Sequence, residues 1–92
     1  MYTNHAKIEM EQEEFGQIFD YQVFEAICNG EVITEYSDDR PYPSYLVYGK
    51  TDNKRPIHVL CAYNFDDDQV VVVTVYEPDP NLWIDFKKRK KI

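Results

Sequence analysis

The sequence has few cysteines and no long apolar segment. Its 92 residues include two cysteines, Cys28 and Cys61, which lie far apart and form no C-x-x-C spacing. A disulfide framework needs more cysteines and a zinc site needs clustered ligands, so we expect both thiols to pack as small buried hydrophobes. No segment approaches the roughly 20 apolar residues of a membrane helix, and the first residues do not form a signal peptide. We therefore expect a soluble protein of the reducing cytoplasm, with no membrane partner.

Basic residues are scarce until the end of the chain. Residues 1–86 hold 17 acidic and five basic side chains, a net charge of −12, whereas residues 87–91 carry a charge of +5. An acidic body of this kind does not bind nucleic acid through its overall charge, because phosphate contacts need clustered lysine and arginine. Any contact with nucleic acid must therefore use a local cationic surface.

The length and the hydrophobic fraction of 43% predict one folded domain over residues 1–92, with 87–92 as a basic tail. A first helix is predicted over residues 3–17, capped by Thr3 or Asn4 and broken at Gly16. Apolar residues then recur at helical spacing, which predicts a second helix with one buried stripe. Asn29-Gly30 is expected to end it through a residue with positive φ. The stripe consists of Ile18, Tyr21, Phe24, Ile27 and Cys28.

Beyond Gly30 the sequence changes to short β-rich runs separated by turn residues. We predict four strands in an antiparallel meander, at residues 31–36, 45–50, 57–63 and 69–76. The four valines at 70–73 are apolar on both faces of the pleat, which favours a central, doubly covered strand. Leu82, Trp83 and Phe86 would anchor a final turn or short helix. The predicted fold class is α+β, with two N-terminal helices packed on a four-stranded antiparallel sheet.

A meander places alternate turns at opposite ends of the sheet, and this separates the charges. One end is expected to be acidic, with Asp38, Asp39 and the run Asp66–Asp68. The other end is expected to be cationic, with the second turn and the start of the basic tail. The aspartate run lacks the spaced oxygen ligands and the distal glutamate of a calcium loop, so we predict no metal site.

His58 and Tyr76 are expected near the cationic end, at the start of the third strand and the end of the fourth. An imidazole there can move a proton while Arg55 and Lys50 stabilise charge on a phosphate, which suits phosphodiester cleavage without a cofactor. The candidate catalytic residues are His58, Arg55 and Tyr76, and the candidate substrate-binding residues are Lys50, Lys54 and Arg40. Each also has a structural interpretation: a hydrogen-bonded strand histidine, a packed tyrosine, or solvated turn cations.

Several separated motifs resemble a bacterial family known only as a domain of unknown function. In chain order they are NGEVI (29–33), YSDDRPYPS (36–44), Gly49 with Thr51, RPIHV (55–59), TVYEPDP (74–80) and Trp83. That family is similar to RelE-type toxins, with BrnT and MqsR as nearer relatives. The resemblance implies a RelE-like fold and a metal-independent endoribonuclease that cleaves mRNA, silenced by a protein antitoxin of the zinc-finger type. A non-catalytic protein-interaction module on the same scaffold is the open alternative.

Overall fold

Two helices and a four-stranded antiparallel sheet form the protein, which confirms the predicted fold class. The computed structural model describes residues 1–91. The elements are α1 (Asn4–Gln12), α2 (Asp20–Cys28), β1 (Glu31–Tyr36), β2 (Ser44–Lys50), β3 (Pro56–Asn64), β4 (Gln69–Tyr76), β5 (Trp83–Ile84) and β6 (Lys88–Arg89). The first four strands lie in the order β1-β2-β3-β4, all neighbours antiparallel, so the meander is confirmed. Strands β5 and β6 form a separate hairpin.

The helices cover one face of the sheet, and the core lies between them and that face. Helix α1 packs on β4, and α2 packs on β2 and β3. Along β3 the side chains of Ile57, Val59 and Cys61 are buried beneath the helices. Because side chains alternate across a strand, His58 and the other even-numbered residues of β3 point to the opposite face, which we call the open face. The β5–β6 hairpin lies over one end of the open face, where the Trp83 ring is 4.4 Å from the His58 ring.

Helix α1 begins where predicted but ends five residues early. The Oγ1 of Thr3 accepts a hydrogen bond from the N–H of Ala6 at 3.1 Å and so caps the helix. After Gln12 the chain turns back through Gly16, whose φ is 111°. The N–H of Ile18 then donates to the carbonyl of Met10 at 2.8 Å. This reversal places Ile18 in the core.

The predicted buried stripe of α2 is wrong apart from Ile18, which precedes the helix. The helix buries Gln22, Val23 and Ala26 instead. The cause is the close approach of α2 to the sheet: a Cβ built on Gly49 would lie 1.8 Å from the carbonyl oxygen of Ala26. Side chains as large as phenylalanine do not fit into that contact. The side chains left in solvent are Tyr21, Phe24, Ile27 and Cys28.

Two smaller expectations at the end of α2 are also wrong. Gly30 does not adopt positive φ, and Asn29 has a φ of −102°. Glycine is needed at position 30 because a Cβ there would lie 2.4 Å from the carbonyl oxygen of Ala26. Cys28 is exposed, so only Cys61 packs as a buried thiol.

Strand β4 lies at the edge of the sheet and not at its centre, contrary to the prediction from its valines. The first residues of the chain run along its outer side: the N–H of Val72 donates to the carbonyl of Met1 at 2.8 Å, and the N–H of Thr3 donates to the carbonyl of Val72 at 3.0 Å. A bulge leaves Val73 without a partner on β3 and interrupts the alternation. The covered edge and the bulge together explain why this edge strand is so apolar.

The loops lie at the two ends of the sheet as the meander predicts, but the ends do not separate charge: Glu77 and Asp79 lie at the end predicted to be cationic, and Arg40 lies at the end predicted to be acidic. At one end the β1–β2 and β3–β4 loops meet, and the Tyr42 hydroxyl donates to Asp66 at 2.9 Å. At the other end lie the β2–β3 turn and the hairpin. The chain after β4 forms this hairpin rather than a final turn or short helix, and its Lys87 ammonium lies 2.7 Å from a carboxylate oxygen of Glu31.

Candidate functional site

Three aromatic side chains form a row across the open face beneath the hairpin. Tyr48, His58 and Tyr76 are direct cross-strand neighbours on β2, β3 and β4. The Nδ1 of His58 lies 3.0 Å from the Tyr76 hydroxyl, and its Nε2 lies 2.6 Å from the carbonyl oxygen of Phe86 in the hairpin. The structure therefore brings His58 and Tyr76 together, in the arrangement that the meander suggested.

The hydrogen bonds of His58 define its tautomer. The Phe86 carbonyl can only accept, so Nε2 carries the proton and Nδ1 accepts from the Tyr76 hydroxyl. The side chain is 0% exposed. Burial lowers the pKa of His58 below its ordinary value of 6.5, and the hydrogen bond to Phe86 opposes this in part. His58 is thus a neutral imidazole whose basic Nδ1 accepts the hydrogen bond of Tyr76, and it cannot touch a substrate itself.

The buried neutral state of His58 predicts a loss of stability in mild acid. Because its pKa is lower in the folded protein, the unfolded chain takes up the proton first. The contribution to stability is complete above pH about 6.5 and is lost as the pH falls from there toward the folded-state pKa. We expect His58→Gln, which can make both hydrogen bonds but cannot titrate, to flatten the melting temperature between pH 7 and 5 relative to the unmodified protein. Parallel profiles for the two proteins would contradict this account.

Tyr76 is the member of the pair that reaches the surface. Burial, with a further contribution from nearby Tyr36, raises its pKa to about 12, while Arg89 acts in the opposite direction. The hydroxyl therefore keeps its proton at neutral pH and donates it to His58. Tyr76 also lines the open-face groove described below, so a bound molecule can contact this side chain.

Arg55, the third predicted catalytic residue, is not part of this arrangement. Its guanidinium lies 2.5 Å from Glu77 through Nε and donates to the backbone carbonyls of Gly16 and Gln17 at 2.5 and 2.9 Å. With its side chain only 17% exposed, Arg55 joins the α1–α2 connection to the end of the sheet. The structure gives Arg55 a structural role, and its part in catalysis has no geometric support.

The three predicted substrate-binding cations lie in different places. Lys50 ends β2 and borders a shallow depression beside Phe86 and Lys87. Lys54 is exposed in the β2–β3 turn, with a φ of 69°. Arg40 lies in the β1–β2 loop, at the opposite end of the sheet from the other two. The structure therefore does not gather these three residues into one site.

A groove runs along the open face between the sheet and the hairpin. Its volume is about 520 Å³. Leu46 and Leu60 form an apolar floor, and the cations Lys87, Lys88 and Arg89 stand at the hairpin side. The other residues that line it are Ile33, Thr34, Tyr36, Thr74, Tyr76 and Trp83. We call this the open-face groove.

The open face continues past the groove toward Arg40. A second, smaller cavity of about 210 Å³ shares Leu60 with the open-face groove and is lined by Arg40, Tyr42 and Ala62. Arg40 therefore stands at the far end of the same face that carries the hairpin cations at its near end. Arg40, Lys87, Lys88 and Arg89 line the cavities of the open face, and Lys50 borders the neighbouring depression beside Lys87.

The acidic residues are concentrated on the other side of Tyr76. A cavity of about 460 Å³ between α1 and the end of β4 is lined by five carboxylates together with His5. Tyr76 and Trp83 line both this cavity and the open-face groove. They separate an acidic helical side from a cationic open face, so the net charge of −12 over residues 1–86 does not describe the open face. The five carboxylates are Glu9, Glu13, Glu14, Glu77 and Asp79.

The sequence signal for the groove was present but was assigned to another place. Thr34, Leu46, Leu60 and Thr74 are successive cross-strand neighbours, one on each strand of the sheet, and they line the groove together. The basic run at the end of the chain predicts a tail, because no local pattern shows that it folds back as a hairpin strand. The register of the four strands identifies the floor of the groove, and the pairing of β5 with β6 identifies its cations.

Two further features limit the kinds of site available within residues 1–91. No group of three or more His, Cys, Asp or Glu side chains in this part of the chain is placed to hold a metal ion. None of its helices is long and apolar enough to cross a membrane.

The fold and the groove define an α+β protein with helices on one face of an antiparallel sheet and a cationic groove on the other. Over residues 2–77 the chain matches the family model described as Domain of unknown function (DUF4258). The chain belongs to this family. Searches of the curated proteins and of the solved structures gave no match. His58 and Tyr76 lie inside the matched segment, and the hairpin follows it.

Proposed function

We propose that this protein is an endoribonuclease, the toxin of a toxin–antitoxin pair, and that it binds RNA in the open-face groove. The observation that carries the proposal is the position of the cations. Lys88 and Arg89 stand at one end of the open face and Arg40 at the other, on a molecule whose helical side is acidic. Cations spaced along a groove are suited to successive phosphates of a single strand. The similarity to RelE-type toxins that is expected of the family whose motifs the chain resembles favours the same class of activity.

The chemistry of the groove suits a flexible single strand. Leu46 and Leu60 offer an apolar floor, and the rings of Tyr36 and Trp83 offer faces on which bases can stack. The hydroxyls of Thr34 and Thr74 supply hydrogen-bonding groups for ribose. A groove open along its length accepts a chain that continues beyond it in both directions, as an internal cleavage site requires.

Tyr76 and His58 can move the proton that RNA cleavage requires. The Tyr76 oxygen takes the proton of a ribose 2′-hydroxyl while its own proton passes to Nδ1 of His58, 3.0 Å away. The 2′-oxygen bonds to phosphorus, the bond from phosphorus to the 5′-oxygen breaks, and the leaving oxygen takes a proton from water. The imidazolium then returns its proton to the Tyr76 oxygen, which releases the proton taken from the 2′-hydroxyl to solvent, leaving a 2′,3′-cyclic phosphate and a 5′-hydroxyl. Charge on the phosphate is balanced by Lys88 and Arg89.

A non-catalytic interaction module on the same scaffold is the second candidate. It is favoured by the exposed aromatic side chains of α2, which the core does not use. Under the first proposal a protein antitoxin, which the motif resemblance suggests to be of the zinc-finger type, is the expected partner.

A paired set of variants tests RNA binding in the groove. We expect Arg40→Ala combined with Lys88→Ala to weaken binding of a short single-stranded RNA about tenfold, because two phosphate contacts are lost. The slope of log affinity against log salt concentration should become shallower by about 1.4. Lys7→Ala combined with Lys54→Ala removes the same charge away from the groove and serves as the control. Equal weakening by both double variants would show that net charge, and not the groove, governs binding.

Cleavage is measured on the same RNA with the purified protein in the presence of a chelator. We expect products that end in a 2′,3′-cyclic phosphate. Intact RNA after prolonged incubation with a folded, RNA-binding protein would overturn the ribonuclease proposal and favour the interaction module.

A further inference from the structure

The outward surface of α2 is more apolar than its buried side, which is unusual for a helix on a protein surface. The exposed fraction of the side chain is 69% for Phe24, 59% for Tyr21 and 39% for Ile27. Phe19, just before the helix, stacks on Tyr21 with ring centroids 6.0 Å apart. The side facing the sheet includes the polar Gln22. A surface helix normally has the reverse arrangement, with its polar residues toward solvent.

These residues form one surface, which we call the aromatic face of α2 and define as Phe19, Tyr21, Phe24 and Ile27. Positions three and four apart on a helix are neighbours, so Tyr21, Phe24 and Ile27 follow one another along a single side. Contiguous exposed apolar surface of this kind marks interaction sites. The fold itself does not require large residues here, because the contact with the sheet is made by Val23 and Ala26.

The charges around the aromatic face of α2 are mostly negative: the cavity beside Phe19 and Asp20 is also lined by Glu11 and by one cation, Lys7. Residues 1–29 contain six acidic side chains and one basic side chain, Lys7, a net charge of −5. Two of the carboxylates, Asp20 and Glu25, are on α2 itself. A partner that covers the aromatic residues therefore meets carboxylates at the rim of the contact, and complementary cations favour its approach.

We propose that the aromatic face of α2 binds a protein segment that combines an apolar helical stripe with flanking lysines and arginines. The apolar stripe covers Tyr21 and Phe24, and the cations meet Asp20 and Glu25. This is the helix-on-helix mode of peptide recognition, in which anchors at three- and four-residue spacing fix the register. The surface lies on the side of the sheet opposite the open-face groove, so the partner and RNA occupy different faces. The inference does not depend on the ribonuclease proposal.

A synthetic amphipathic helix tests the chemistry of this surface. The probe is a fluorescent peptide of about five turns built from leucine and lysine at helical spacing, compared with a peptide of the same pattern built from leucine and glutamate. We expect the lysine peptide to bind and the glutamate peptide not to bind. Phe24→Gln should weaken binding of the lysine peptide about tenfold or more, as removal of a central aromatic anchor does. Phe24 is exposed, so the variant is expected to keep its fold, which circular dichroism verifies.

Phe65→Gln is the matched control. Phe65 is 58% exposed and precedes the carboxylates of Asp66–Asp68, but it lies in the β3–β4 loop. We expect this variant to bind the lysine peptide within twofold of the unmodified protein, on the order of experimental error. Equal weakening by Phe24→Gln and Phe65→Gln, or equal binding of the two peptides, would overturn the proposal. So would a dimer in sedimentation that Phe24→Gln converts to a monomer, because the occupant would then be a second copy of this chain.

Discussion

Replacement of Gly49 by alanine is expected to lower the free energy of unfolding by about 3 to 5 kcal/mol. An added Cβ would lie 1.8 Å from the carbonyl oxygen of Ala26 and 2.6 Å from its carbonyl carbon. Both are backbone atoms of α2, so no side-chain rotation can relieve the overlap, and the helix must move away from β2. Such a loss is large beside the total stability of about 5 to 14 kcal/mol expected for a chain of this length. Urea unfolding followed by circular dichroism measures it.

Gly30→Ala also adds a Cβ where α2 approaches the sheet, and combining it with Gly49→Ala tests that close approach. Its Cβ would lie 2.4 Å from the same carbonyl oxygen of Ala26 and 2.9 Å from that of Tyr48. We expect a loss of about 2 to 3 kcal/mol for the single variant. The double variant should lose at least about 1 kcal/mol less than the sum, because one displacement of the end of α2 away from β2 relieves both the contact of Gly49 with Ala26 and that of Gly30 with Tyr48.

The control for the glycine series is Asn53→Ala, an exposed position in the β2–β3 turn. Its expected effect is within about 0.5 kcal/mol. Full additivity of Gly30→Ala and Gly49→Ala would show that the two glycines do not act through a common displacement of α2. A Gly49→Ala variant as stable as the unmodified protein would disprove the close approach of α2 to the sheet.

Tyr76→Phe is expected to reduce the rate of RNA cleavage by about 100-fold or more while the RNA affinity stays within about twofold. The ring remains in the groove, so binding contacts persist, but no hydroxyl is left to link the 2′-hydroxyl of the substrate to Nδ1 of His58. His58 also loses its hydrogen bond on that side, at a cost of about 1 to 3 kcal/mol in stability. Single-turnover cleavage and binding of a non-cleavable 2′-deoxy analogue separate the two effects.

Tyr36→Phe is the matched control, because it removes a hydroxyl from the same groove without touching His58. We expect this variant to cleave at nearly the normal rate. His58→Gln should lose activity like Tyr76→Phe, since an amide does not accept the proton. In the unmodified protein the rate should fall as the pH drops through the lowered pKa of His58, because protonated Nδ1 cannot act as the base. Normal cleavage by Tyr76→Phe, or equal losses in both tyrosine variants, would refute the relay.

The strands of the sheet could be predicted from the sequence because the turn residues and the β-rich runs that define them are local patterns. β1 and β4 have the predicted bounds, Glu31–Tyr36 and Gln69–Tyr76, since turn residues delimit each run. Short turns then imply a meander, and a meander places the start of β3 beside the end of β4. The meeting of His58 and Tyr76 follows from that topology, and the structure adds the register and the distance of 3.0 Å.

The placement of several predicted site residues depends on long-range contacts that the sequence does not show. Arg55 has the charge of a catalytic residue, but its side chain is long enough to reach the carbonyls of Gly16 and Gln17, and no sequence pattern encodes that contact. The sequence predicts a tail where the hairpin cations lie, because strands of two residues are too short to show the alternation of polar and apolar side chains. Lys50 and Lys54 are close to Arg55 in sequence, yet the groove lies elsewhere on the sheet.

The sequence by itself determined the α+β class, the order of the strands and the separation of charge along the chain, because alternation, turn chemistry and composition act over a few residues. Only the tertiary structure decided which side of α2 is buried. Apolar periodicity identifies a stripe on the helix but not the distance between the helix and the sheet. The contact of Ala26 with Gly30 and Gly49 leaves room only for small side chains between them. The same packing leaves Phe24 in solvent, where the proposed partner surface begins.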